Sequence, residues 1–232
     1  GLFGNERINK VIVKDDSKIL IAGTFSNING FEIQGIAQLF PNGSIDTSFN
    51  AGFEFAILND VALQADGKII IGGSISIPNQ SVSLLRLNTN GSIDESHPSP
   101  GGLVESIQIQ TDGKIFIGGG FNRIFSRSVG RVARLSSDGN IDNSFNPPFG
   151  PEGNINVSTV QSDGKILIGG SFNSYNGVSR NNIARINTDG SLDLSFNIGL
   201  GFNSSVADIK VQSDGKILVS GTFTSYSGQN SS

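Results

Sequence analysis

Residues 162–172 read "SDGKILIGGSF", and four other stretches say nearly the same thing: "DDSKILIAGTF" (15–25), "ADGKIIIGGSI" (65–75), "TDGKIFIGGGF" (111–121) and "SDGKILVSGTF" (213–223). A Gly–Lys pair followed by more glycines suggests a phosphate-binding loop. That motif needs Ser or Thr directly after the lysine to reach Mg²⁺, and a helix after the loop. Here Ile follows Lys in every copy and no window has helical periodicity, so the phrase is a structural joint.

The lysines fall at Lys18, Lys68, Lys114, Lys165 and Lys216, a period of about 50 residues. A second phrase alternates with the first: "FPNGSIDTSFN" (40–50), "NTNGSIDESHP" (88–98), "SSDGNIDNSFN" (136–146) and "NTDGSLDLSFN" (187–197). Short apolar runs precede both phrases, for example "NVSTVQ" (156–161) and "NIARIN" (182–187). Each unit therefore reads as four short strands, A to D, joined by Gly/Asn/Asp turns. Asp–Gly or Asn–Gly between apolar runs is a hairpin signal, because glycine tolerates positive φ. A three-residue loop sets the register: Leu63 opposite Ile69 and Gln64 opposite Lys68 in the A–B hairpin, Leu87 opposite Ile93 in the C–D hairpin. It also places Arg86, Arg134 and Arg185 across from Asp94, Asp142 and Asp193, with Gln38 facing Asp46 in the first unit. Opposite charges facing across a strand pair are worth ~0.2–1 kcal/mol. The recurring lysine is expected to keep its head in water at the hairpin mouth, with its stem on the sheet.

Strand B decides the architecture. "KILIGG" is apolar on both alternating sets of positions, as expected for a strand buried on both faces. Antiparallel four-stranded units of this period, buried on both sides, predict an all-β fold: a β-propeller of about five visible blades, the last incomplete. The units run approximately 1–50, 51–98, 99–146, 147–197 and 198–232. Five A–B halves but only four C–D halves are present, and the chain is expected to be a segment of a longer protein.

The pattern Q-x-D-G-K-I-L-[IV]-G-G-x-F followed by I-A-R-[LI]-N-x-D-G-S-[LI]-D-x-S-F-N resembles the delta-sixty bacterial repeat. The resemblance spans almost the whole chain and is weaker in the second unit, at residues 74–85 and 94–100. It implies a β-propeller of uncharacterised biochemical role in large secreted or cell-surface bacterial proteins, often beside adhesion modules. It carries over no catalytic residue.

Composition narrows the chemistry. Among 232 residues there are 31 Gly and 16 Phe but no Cys, Met or Trp, which excludes disulfides, thiolate metal sites and cysteine nucleophiles. A net charge of −4 and a pI near 4.9 argue against nucleic acid and anionic membranes as partners. No apolar run approaches the ~20 residues of a membrane-spanning helix. The loops "SSDGNID" (136–142) and "NTDGSLD" (187–193) resemble calcium loops only distantly. Asn42 and Asn90 replace their first Asp in the other units, and the last Asp faces an Arg, so hairpin turns are the simpler reading; calcium is the one cofactor considered and none is required.

A bulky residue recurs in the B–C loop at Ile28, Phe125, Tyr175 and Tyr226. Exposed rings there, at Tyr175 and Tyr226 above all, would suit stacking on sugars in a lectin with repeated sites; packing against the neighbouring blade is the alternative. The single His97 has no recognisable acid–base partner. The sequence thus points to a non-enzymatic interaction module, adhesin-like and extracellular or on the cell surface, with a protein or a surface glycan as partner. The alternative is the lectin with its sites in the B–C loops.

Overall fold

The computed structural model describes residues 6–94, 100–124 and 127–230; Phe125 and His97 lie outside them. Among the described residues there is no helix, and every strand pair is antiparallel. Strand A spans Arg7–Val13, Phe55–Leu63, Val104–Ile109, Pro151–Val160 and Val206–Val211 in the five units. Strand B spans Ile19–Thr24, Ile69–Ile77, Ile115–Gly119, Ile166–Tyr175 and Ile217–Gly221. Strand C follows at Ile36–Leu39, Gln80–Leu87, Val132–Leu135 and Ile183–Ile186, pairing with the opposite edge of B.

The hairpin registers are those expected. Leu63 pairs with Ile69 and Leu87 with Ile93, and the Gln64 N–H donates to the Lys68 carbonyl at 2.8 Å. Strand D is shorter than expected. It is a two-residue strand, Ile93–Asp94, in the second unit, and a single bridge at Ile45, Ile141 and Leu192 in the others. The D phrase turns sharply after its Asp because that carboxylate accepts the N–H and hydroxyl of the Ser two residues on, as Asp142 does from Ser144.

Strand B is buried on both faces, and the two faces belong to different layers. Ile69 and Ile71 pack with Leu20, Ile36 and Leu58 between the first and second units. Ile70 and Leu84 pack with Val104, Ile107 and Phe121 between the second and third. Phe116 and Leu167 repeat this role at the next two junctions. The core is therefore a series of apolar layers between successive sheets, with no single centre. Apolar burial of this kind contributes about 25 cal/mol per Å².

Every strand A carries a β-bulge at the same place, at Asn9, Asn59, Glu105, Asn156 and Ala207. The Gly–Gly pair of strand B faces it. A Cβ on the second glycine (Gly73, Gly119, Gly170) would sit 2.0–2.2 Å from a strand A carbonyl oxygen of the same unit. A Cβ on the first (Gly72, Gly118, Gly169) would instead lie 2.5–2.7 Å from a Val or Ile of the next unit. Only the first glycine is there for close approach between units. The second makes room for the bulge.

Candidate functional site

The recurring charges form one constellation in each of the first four units. Lys68 Nζ and Arg86 Nε both meet Asp94 Oδ2, at 2.8 and 2.9 Å. Lys114 and Arg134 meet Asp142 at 3.2 and 2.8 Å, and Lys165 and Arg185 meet Asp193 at 2.8 and 2.7 Å. In the first unit Lys18 and Gln38 share Asp46, and Lys14 Nζ donates to the Gln38 amide oxygen at 2.9 Å. The lysine is therefore an ion-pair partner of strand D, and its head is not simply solvated as the sequence suggested. The sequence places Arg opposite Asp; what it does not reveal is that the lysine side chain crosses strand C's end to the same carboxylate. Lys18 and then Ser48 hold the Asp46 carboxyl well below the usual range, and Lys165 and then Ser195 do so for Asp193. Burial pushes Asp142 upward, but Ser144, Arg134 and Lys114 outweigh it and leave the carboxyl depressed.

Asp46, Asp142 and Asp193 accept cationic donors or an amide on one oxygen and a serine N–H and O–H on the other. Asp138 and Asp189, the other acidic members, bond the backbone N–H of Asn140 and Ser191 inside their own turns. Among the described residues no group of three or more His, Cys, Asp or Glu could hold a metal ion.

The B–C connections differ from the expectation. In the second unit strands B and C form one continuous hairpin, with Ile77 opposite Gln80, but each of the other connections contains a two-residue hairpin of its own, Asn27–Ile28 with Phe31–Glu32 in the first unit and Ser225–Tyr226 with Gln229–Asn230 in the fifth. Its turn is Asn29–Gly30, Asn176–Gly177 or Ser227–Gly228, both residues at positive φ. Asn–Gly is the residue pair such a primed turn favours, and it was visible in the sequence as a hairpin signal. The turn sends Tyr175 inward: its ring is fully buried and its hydroxyl donates to the Gly190 carbonyl at 2.7 Å. Burial pushes that hydroxyl's pKa far upward. Tyr175 is thus part of the core and cannot stack on a ligand. Tyr226 is 40% exposed, but its ring lies 4.7 Å from Phe202 in a tilted pair. Across the hairpin, Phe31, Val178 and Gln229 are exposed, whereas the equivalent Arg127 is half-buried and bonds Asn143 and Asn146, so these positions share no chemistry. Among the described residues the B–C hairpins therefore present no repeated aromatic platform.

A polar channel of about 670 Å³ runs along the A strands, lined by Lys10, Asp60, Glu105, Ser106, Ser158 and Asp208 among others. The bulge residues there hold the units together. Asn9, Asn59 and Asn156 donate their side-chain N–H to Leu58, Val104 and Val206 carbonyls of the following unit, at 2.8, 3.2 and 2.9 Å. Asp60 is buried and accepts from Ile107 N at 2.8 Å and Val61 N at 2.9 Å, with Lys10 at 3.1 Å. Burial nevertheless raises its carboxyl pKa, and that of Glu105, which takes the place of the bulge asparagine in the third unit.

Two equivalent clefts open between units at the hairpin-mouth end. The one between the second and third units holds about 490 Å³, the one between the third and fourth about 430 Å³. In the first, Lys68 and Arg86 form one wall, and the C–D turn at Ser137–Asp138 faces them. The second matches it with Lys114, Arg134 and Thr188–Asp189. Arg86 and Gln64 both donate to the Ser137 carbonyl, at 2.9 and 3.0 Å, and Arg134 donates to that of Thr188.

Comparison with known proteins follows the same periodicity. A family model described as a domain of unknown function (DUF5122) beta-propeller matches residues 14–49, 64–96, 110–145, 161–196 and 212–232. No curated protein matches the chain. Virginiamycin B lyase from Staphylococcus aureus is similar in structure, with a TM-score of 0.57 at 16% identity over 91% of this chain. The chain spans 62% of the length of that lyase. The surface component PorZ of the Porphyromonas gingivalis type-IX secretion system gives a TM-score of 0.60 at 10% identity, covering 92% of this chain and 30% of PorZ. The extracellular domain of a hybrid two-component system of B. thetaiotaomicron gives 0.55 at 17%, covering 91% of this chain and 25% of that one. At such identities the likeness is one of fold.

Proposed function

The chain belongs to the DUF5122 beta-propeller family, and from that premise we propose that it is a non-enzymatic interaction module, displayed outside the cell or on the surface of a bacterium. Each unit is one blade, with the D phrase as its short outer strand. The observation that carries this reading is where the recurring side chains go. The Lys, Arg and Asp of the second, third and fourth units satisfy one another, and Arg86, Arg134 and the bulge asparagines reach into the next unit. The invariant part of the repeat is thereby used up in building a rigid frame, while the exposed hairpin tips vary from unit to unit. A frame of that kind suits display of differing loops to a protein or glycan partner. Two of the similar structures, PorZ and the two-component-system domain, are described as surface or extracellular, which supports the location.

The experiment is antibody labelling of intact cells of the producing bacterium, with lysed cells as the reference. Labelling of intact cells is expected. Signal that appears only after lysis would overturn the reading.

A further inference from the structure

The first unit has an open pocket where the third unit inserts a side chain of its own. In the third unit Arg127 Nη1 donates to Asn143 Oδ1 and Nη2 to Asn146 Oδ1, and only about 20 Å³ of space remains beside them. The equivalent place in the first unit, between the B–C hairpin and the D phrase, holds about 240 Å³. There Phe31 stands in the arginine's position, Thr47 and Asn50 in those of the two asparagines, and Glu32 in that of Ser128.

A second guanidinium is missing from the first unit as well. Arg134 lies over the Phe145 ring, 5.2 Å from its centroid, and Arg185 lies over Phe196 at 4.8 Å. The corresponding ring in the first unit is Phe49, which lines the pocket, and Gln38 takes the arginine's position. The pocket thus keeps aromatic and amide surroundings suited to a guanidinium but has neither arginine. It adds a negative charge, since Glu32 is the one charged residue of its lining. Glu32 is exposed, and among the described residues its carboxylate has no partner; the exposed Thr47 hydroxyl has none either. The Asn50 side-chain oxygen accepts the Gly52 N–H at 2.9 Å, and an amide oxygen has a second lone pair to offer.

We propose that this pocket receives an arginine side chain of a partner protein. The inference rests on the interaction-module reading and selects a protein as the partner. A guanidinium is a planar fork of N–H donors that also stacks on aromatic faces. Its donors match the oxygens of Glu32, Thr47 and Asn50, and its face matches the Phe31 and Phe53 rings of the same lining. The volume lies below the ~300–1,000 Å³ of small-molecule sites, which suits a single inserted side chain better than a sugar chain. A net charge of −4 favours the approach of a cationic partner.

The test uses the whole chain and a blocked Gly–Arg–Gly tripeptide, followed by amide chemical-shift changes in NMR spectra at millimolar peptide. The same tripeptide with lysine or citrulline at its centre is the reference. The arginine peptide is expected to shift residues 31–34 and 47–53, and the citrulline peptide to leave them in place. Glu32→Gln should weaken binding by about threefold, as an exposed ion pair is worth little more. Phe31→Arg with Thr47→Asn copies the third unit and should abolish binding by filling the pocket from within. Equal shifts from the lysine or citrulline peptide, no shift from the arginine peptide, or full binding by both variants would overturn the proposal. Surface labelling of intact cells would stand in each case, so the two readings fail separately.

Discussion

Asp142 shows what one residue of the repeat does. It takes Arg134 and Lys114 on one oxygen and Ser144 on the other, and Arg134 is almost wholly buried. Removing one partner of such a pair leaves a charge uncompensated, at a cost of ~3–5 kcal/mol. Asp142→Asn is accordingly expected to lose about 3 kcal/mol in urea denaturation at neutral pH. The pH dependence has a definite sign. Asp46, Asp142 and Asp193 titrate in the folded chain below the ordinary carboxylate value of ~4. Their contribution is complete above that value and is lost as the pH falls through it toward their depressed folded values. Asp60 and Glu105 are shifted the other way and partly offset the loss, since each takes up its proton more readily when folded. Melting temperature should therefore fall from pH 4 downward, and less steeply in Asp142→Asn. The Arg–Asp pairing was legible in the sequence, because register follows from turn length. The lysine's third place in the pair was not, because a long flexible stem reaches a carboxylate that strand periodicity does not bring beside it.

At the scale of the element, the B strand and the bulged A strand are one device. The bulge turns the Asn side chain toward the next unit, and the second glycine of the pair makes room for the carbonyl the bulge displaces. A methyl group at Gly119 would meet the Leu103 carbonyl oxygen at 2.2 Å, against backbone that cannot yield. At Gly118 it would meet the Ile155 side chain at 2.7 Å and no backbone atom, and the first unit already has Ala22 in that place. Gly119→Ala should thus cost more than Gly118→Ala, the former near the upper end of the ~1–3 kcal/mol typical of overpacking. Comparing the two melting temperatures checks this; equal losses would contradict it. The paired glycines were visible in the sequence. The bulge was not, since an extra residue in a strand leaves no mark when every copy carries it. The B–C hairpin was missed for the opposite reason. Its Asn–Gly turn is plain at residues 29–30 and 176–177, but the inward side of the turn is set by packing against the next chain segment, as the Tyr175 hydroxyl on the Gly190 carbonyl shows, and local sequence does not carry it.

For the whole molecule, stability is distributed between the doubly paired B strands and the short hairpins that join them to the C strands. Strand B in the second, third and fourth units is paired on both edges and buried on both faces. In arrays whose units contact only their neighbours, local opening follows such differences. Hydrogen exchange should be slowest in Ile69–Ile77, Ile115–Gly119 and Ile166–Leu167 and faster in the two-residue pairing Asn27–Ile28 with Phe31–Glu32. Equal protection of the two would refute this. The layered architecture itself was legible from a strand apolar on both faces.

The side-chain amide and guanidinium staples to backbone carbonyls point one way along the chain, although Ile107 N and Ser158 N donate back to Asp60 and Ser106 of the preceding units. Asn9, Asn59 and Asn156 at the channel, and Gln64, Arg86 and Arg134 at the clefts, send side-chain donors forward to backbone carbonyls of the unit that follows. Such an interface is heterologous: a donor face meets an acceptor face, and neither complements a copy of itself. Because the acceptors are main-chain carbonyls, any unit of this backbone shape can follow any other. Gene duplication can therefore lengthen or shorten the array without inventing a new interface, and only the rotation between neighbours decides how many units complete a turn.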